Sequence, residues 1–254
     1  MSPFIRLAAA ALALCAVCTA QARPLEDIRK SGTIVLGTEG SYEPFSFVKY
    51  MQLTGYEVEV AEAVVERMGL AVKWEIADFE KLLPGLDKNQ WDVALGSHTI
   101  TAERAKIATF GQPHYCTGGQ IVSMTPEISK AADLTDKIVA VQKDTTYVAA
   151  AQKIPGVKQI NELASSSAAR NALIARSADA WVTDYFIAWE MQSQAEMLGF
   201  HLGDVLFVEH IAAAFALGNQ PLTDAWNQAL REVMQDGTVA AISHKYFKQD
   251  IRCK

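Results

Sequence analysis

The chain has 254 residues, half of them hydrophobic, with 23 Lys+Arg against 29 Asp+Glu and a net charge of −6. That length and apolar content suffice for one or two packed cores. The acidic balance, with no basic patch interleaved with aromatics, excludes nucleic acid as an expected partner. Residues 1–22 hold one basic residue, Arg6, an apolar run from Leu7 to Cys18, and an Ala-x-Ala ending before Arg23. This is the layout of a secretory signal peptide, and the run falls short of the roughly 20 residues that span a bilayer. Leu14 and Val17 precede Cys15 and Cys18 where a lipoprotein signal carries a small residue, so an exported chain without an anchor is expected. Cys116 and Cys253 remain, and in an oxidising compartment a disulfide between them is expected over two buried thiols.

In chain order, residues 25–30 read as a short helix and 33–37 as a buried, β-branched strand. The strand runs into a loop over 38–45 holding Glu39, Tyr42 and Phe45, and loops at strand ends of α/β sheets are where ligands sit. Val58, Ala61, Val65 and Met68 share a helical face over 57–68, and Gly69 suits the position past its end. Residues 71–76 alternate as a second strand, and Asp78-Phe79 open a helix whose core face is Leu82, Leu83 and Leu86. Residues 92–95 make a third strand. This alternation predicts a three-layer α/β unit with a mostly parallel sheet.

Gly96-Ser97 end that strand, and Thr101 is placed to cap a helix from Ala102. Such a helix start, with Thr99 and Arg104 beside it, is a candidate anion site. The alternative is an ordinary β–turn–α junction with Arg104 in a surface ion pair. A second cycle follows: strands over 118–123 and 138–141, a turn over 142–146, a helix from Tyr147, a strand over 157–160 and a helix over 165–176. A strand over 179–183 ends at Asp184 before a helix over 185–191. A strand over 210–217 and helices over 223–235 and 238–247 complete the chain. The economical arrangement is two βαβ modules, the second inserted in the first, with crossings near 120–124 and 210–214.

Several runs occur in a telling order: Gly37-Thr38 through Tyr42-x-Pro44-Phe45, Gly55-Tyr56-Glu57-Val58-Glu59 and Phe79-x-x-Leu82-x-Pro84-Gly85-Leu86. Asp92-Val93 through Thr99-Ile100-Thr101-x-x-Arg104, Asp133-Leu134, Val139-x-Val141-Gln142 and Thr145-Thr146 follow. Asp179-Ala180-Trp181-Val182-x-Asp184 and Asp236-Gly237-Thr238 finish the set. With these the chain resembles the family 3 solute-binding proteins of bacterial amino-acid ABC importers. The resemblance implies an α/β, two-lobe periplasmic-binding-protein-like (type II) fold, each lobe a mixed sheet flanked by helices. Lobe 1 would take residues 23–120 and 213–254, and lobe 2 residues 121–212.

It also implies a periplasmic monomer that closes on one small-molecule amino acid and meets a membrane permease transiently. Arg104 would pair with the ligand α-carboxylate, helped by Thr99 and the backbone at Ser97, and by Thr146 from the second lobe. Asp184 would take the α-ammonium, with a helix cap as its other reading. Tyr42 and Phe79 would sandwich the ligand side chain. Departures from the family pattern are Glu39 for a usual Asp, His98 at a usually small or apolar position, Asp144 for a usual Gly, and no Tyr-Gly within 210–217. Glu39 and His98 join the expected ligand-binding set.

An enzyme on the same scaffold is the competing reading, because the fold also resembles periplasmic cyclohexadienyl dehydratases. There Glu39 would be the proton donor, with Asp184 second. No catalytic residue, cofactor or metal is expected on the preferred reading. His98, His114, His201, His210 and His244 lack ligand spacing, and no G-x-S-x-G elbow or P-loop occurs.

Overall fold

The computed structural model describes residues 22–253. The expected signal segment, Ala22 aside, lies outside the described residues. Helix α1 (Leu25–Ser31) leads into β1 (Thr33–Thr38) and three short strands, β2 (Ser41–Tyr42), β3 (Ser46–Lys49) and β4 (Gln52–Thr54). Next come α2 (Tyr56–Arg67), β5 (Ala71–Ile76), α3 (Phe79–Asp87), β6 (Val93–Ala94) and β7 (Ala108–Phe110). The middle of the chain holds β8 (Tyr115–Ser123), β9 (Ile138–Gln142), α4 (Thr146–Gln152), β10 (Gln159–Leu163) and α5 (Ser166–Ile174). Then follow β11 (Ala180–Asp184), α6 (Tyr185–Leu198), β12 (His201–Ile211), β13 (Ala214–Ala216), α7 (Gln220–Gln235) and α8 (Thr238–Phe247). Among the described residues, no helix is long and apolar enough to cross a membrane.

Two five-stranded mixed sheets organise the molecule, in the orders β5-β1-β6-β13-β7 and β10-β9-β11-β8-β12. Each has a parallel core, β5, β1 and β6 in one and β10, β9 and β11 in the other. Antiparallel strands extend both: β13 between β6 and β7 in the first, β8 and β12 in the second. This is the two-lobed α/β architecture the sequence implies. Strand β8 lies wholly in the second sheet, so the chain leaves the first sheet between Phe110 and Tyr115, ahead of the expected 120–124. It returns between Ile211 and Ala214, inside the expected crossing. The strand expected over 210–217 is therefore two, β12 and β13, and an unbroken apolar run hides the break from periodicity.

Two further departures bear on the site. No helix starts at Ala102. The Thr101 hydroxyl accepts the Arg104 N–H at 3.1 Å, but the turn ends after the 3-10 segment Arg104–Lys106. From Ala108 the chain is drawn into pairing with β13, and exposed Ile107 offers no apolar face for a longer helix. Ser41 and Tyr42 of the expected loop pair with residues 46–54, for which no element was expected, in a small antiparallel sheet, β2-β3-β4. Its β3–β4 turn sits at Tyr50 and Met51, both with positive φ (50° and 64°). Such turns favour Asn or Gly, so the sequence carries no signal for this one.

The core is continuous between the sheets. Val60 and Val64 of α2, Trp226, Leu230 and Val233 of α7, and Trp181 of β11 belong to one buried cluster. Phe45 stacks on Tyr115 at 5.0 Å, meets Tyr56 and Phe247, and Phe186 reaches Phe247 at 4.9 Å. These rings tie the first lobe to β8 and α6 of the second. A Cys116–Cys253 disulfide fastens the chain's tail to the start of β8. Gly37 and Gly85 make room for the Trp91 indole, which an added Cβ would meet at 2.5 and 2.0 Å.

Candidate functional site

The chain beyond β1, β6 and β9 converges on one cleft between the sheets. From the first lobe Glu39, Tyr42, Phe79, Gly96, Ser97, Thr99 and Arg104 line its cavity. From the second come Gln142, Thr145, Thr146 and Tyr147. The cavity measures about 20 Å³, room for about one water. Side chains of the two lobes meet across it: Gln142 Nε2 donates to Glu39 Oε1 at 3.1 Å, and the Tyr42 and Tyr147 hydroxyls lie 3.5 Å apart. Admitting a larger molecule requires these contacts to part.

Arg104 is the one cation among the lining residues. It is half-buried, and its guanidinium donates to the Thr99 carbonyl at 3.2 Å and the Asp144 carbonyl at 3.0 Å. It forms no ion pair among the described residues, and burial lowers its pKa, with the charge of Glu209 acting the other way. Its carbon lies 5.4 Å from the centre of the Phe79 ring, a cation–π arrangement. Phe79 in turn stacks on His98 at 4.8 Å. Burial first, and Arg104 second, push the His98 pKa well below its ordinary value. A neutral imidazole is what can lie beneath a cation-bearing ring.

Thr99 pairs with Ile211 in an isolated antiparallel bridge, which pins it beside β12. Its hydroxyl donates to Glu209 Oε1 at 2.6 Å, and the Thr146 hydroxyl donates to the same oxygen. Glu209 is itself buried. Ser97 has φ 54°, and its N–H donates to Glu57 Oε2 at 2.8 Å. Glu57 also bonds His114 Nε2 at 3.1 Å, so a buried carboxylate fixes the turn. A Cβ added at Gly96 would meet Leu82 at 2.5 Å and the His98 ring at 2.9 Å, so those side chains would have to shift.

Burial raises the Glu39 pKa, partly offset by hydrogen bonds from Gln142 and Ser41. Asp184 is fully enclosed, and burial lifts its carboxyl to about 7. It accepts the Phe186 N–H at 2.7 Å and the Ile187 N–H at 3.4 Å, capping α6. Its charge acts on both cleft tyrosines, so it stands near them without lining the cavity.

Glu39, Tyr42, Phe79, Ser97, Thr99, Arg104 and Thr146 are thus gathered around one cavity. His98 and Asp184 are not on its wall: His98 stacks on Phe79, and Asp184 caps α6. The expected use of the Ser97 N–H is closed off by Glu57. Sequence reasoning passed over Gln142, Tyr147 and Glu209. The first two follow the end of β9, where the strand-end rule points, whereas nothing in the pattern of β12 marks Glu209. Cys116, His210 and Cys253 are close enough to suggest metal ligation, but both sulfurs are taken by the disulfide.

This is the architecture of a two-lobed binding protein with its pocket between the lobes. The family profile of bacterial extracellular solute-binding proteins, family 3, matches residues 34–249, and the chain belongs to that family. The L-cystine-binding protein TcyJ of Escherichia coli (strain K12) is 30% identical over 232 residues, 89% of this chain and 87% of that protein. An ancestral arginine-binding protein bound to arginine superposes with a TM-score of 0.81 at 30% identity, covering 85% of this chain and 98% of the other. The ancestral amino acid-binding protein AncCDT-1, a precursor of cyclohexadienyl dehydratase, gives 0.82 at 28% identity, covering 87% and 98%.

Proposed function

We propose that the protein captures one α-amino acid with a polar side chain in the periplasm, as a monomer, and delivers it to an ABC permease. The observation that carries this is a half-buried guanidinium, Arg104, with no ion pair among the described residues, at a cavity to which both lobes contribute hydroxyls. A cation of that kind is satisfied by a carboxylate, which it can grip through parallel hydrogen bonds. Thr99 and Thr146 flank the same point from opposite lobes. Asp184, whose charge acts on Tyr42 and Tyr147, offers negative charge for the α-ammonium once the lobes part. Tyr42, Phe79 and Glu39 contact the ligand side chain, and His98 holds Phe79 beneath Arg104.

Lobe 1 takes residues 23–110 and 214–253, lobe 2 residues 115–211, and the two crossings between them form the hinge. Thermal-shift measurements on unfolded and refolded protein, against the twenty standard amino acids and L-cystine, test the reading. A ligand that binds only the native form raises the melting temperature, and silence across the whole panel would remove the assignment.

A dehydratase reading draws on one observation, the buried Glu39 carboxyl with its raised pKa, a property suited to a proton donor. Incubation with prephenate or arogenate, followed by ultraviolet detection of phenylpyruvate or phenylalanine, decides it.

A further inference from the structure

The carboxylate seat proposed above already holds a carboxylate. Thr99 from the first lobe and Thr146 from the second both donate to Oε1 of Glu209. A hydroxyl has a single proton to give, so neither can serve a second anion at the same time. Glu209 is buried, and its charge favours the cationic form of Arg104. It therefore supplies, from within the chain, both the hydrogen-bond acceptor and the negative charge that a ligand's α-carboxylate would bring. Its residue also lines a second cavity, of about 900 Å³, which shares Thr99, Arg104 and Thr146 with the cleft and carries Lys153 on its wall. That space gives a displaced Glu209 side chain somewhere to go, with a cation near its new position.

We propose that Glu209 is an internal competitor for the ligand. Without ligand its carboxylate fills the seat between Thr99 and Thr146, and a free carboxylate on the incoming molecule binds by displacing it. The proposal rests on the reading of the cleft as an amino-acid site. Glu209 then sets a threshold: only ligands whose remaining contacts offset the exchange of one carboxylate for another close the lobes. Molecules lacking a free carboxylate meet no such competition and gain nothing from the seat.

The test is calorimetric titration of wild type, Glu209→Ala and Glu209→Gln with the twenty amino acids and L-cystine, and with the methyl ester of each one that binds. Circular dichroism melts accompany each variant. For the free acids, Glu209→Ala is expected to bind about 10- to 100-fold tighter, the scale of a charge-assisted hydrogen bond. Glu209→Gln, which keeps an acceptor for the hydroxyls and loses the charge, is expected to fall between, and informs alone should the alanine variant not fold. The esters are expected to show no gain. Equal or weaker binding of the free acids by the folded variants would overturn the proposal, because Glu209 would then be a partner of the ligand. No binding of any probe by any of the three proteins would overturn the amino-acid reading itself, and this inference with it.

Discussion

Asp184 shows how capping a helix can hold a carboxyl group deep in the protein. Its carboxyl caps α6 through the Phe186 N–H, and burial raises its pKa to about 7 from 3.8. Between those two pH values the folded chain keeps a proton that the unfolded chain has released. Stability therefore falls as pH rises from about 4 to about 7 and is level above that. At about 1.4 kcal/mol per pH unit the whole span is at most about 4 kcal/mol. Asp184→Asn keeps an acceptor for the cap and cannot ionise, so this part of the slope should vanish. Urea midpoints between pH 4.5 and 7.5 read the difference; parallel profiles for the two proteins would place the titration elsewhere. His98 is the companion case: it is next to the site in sequence but holds up Phe79 from behind.

At the scale of elements, small residues are explained by the large side chain they admit. An Ala at position 85 would drive a methyl group into the Trp91 ring, and that ring is held by its N–H bond to the Leu82 carbonyl at 2.8 Å. Gly85→Ala should cost about 1–3 kcal/mol by overpacking, seen as a lower urea midpoint with an unchanged slope. Cys116 and Cys253 are 137 residues apart in sequence, and β8 begins at the bond between them. Replacing both with Ser should cost about 2–5 kcal/mol in chemical denaturation. The wild type unfolded in reductant should show the same loss, and an equal stability of the two forms would mean the tail is held by Ile251 and its neighbours alone.

Much of the fold was legible because long elements have strong periodicity. The helices of the first half and the tail, α2, α3, α7 and α8, and the parallel strands β1, β5 and β9 stand within a few residues of their expected places. What failed was short or set by distant partners. The three strands β2, β3 and β4 total nine residues and depend on an unmarked turn at Tyr50-Met51. The segment after Thr101 was read as a helix because local capping chemistry is present, yet pairing of β7 with β13 ends it after one turn. In the site, residues following strand ends were visible in the pattern. Glu209 was not, since its role arises only when β12 brings it between two threonines more than 40 residues apart.

For the whole molecule, closure is a set of contacts between the first lobe and residues 142–147 of the second. Glu39 meets Gln142, Tyr42 meets Tyr147, Arg104 meets the Asp144 carbonyl, and Glu80 pairs with Lys143 at 2.7 Å. The last of these is half exposed and contributes little. The Glu39–Gln142 and Tyr42–Tyr147 contacts are buried and leave almost no free volume between them, so a bound ligand must replace them with better partners as the lobes reclose. Arg104 supplies the decisive one, by gripping the ligand carboxylate. Isothermal titration of refolded wild type and Arg104→Ala with the amino acid that gives the largest thermal shift tests it most directly. A loss of about 2–5 kcal/mol, or roughly 30- to 4,000-fold in affinity, is predicted for removing one partner of a buried charge pair. Wild-type affinity in the variant would mean that Arg104 does not hold the ligand.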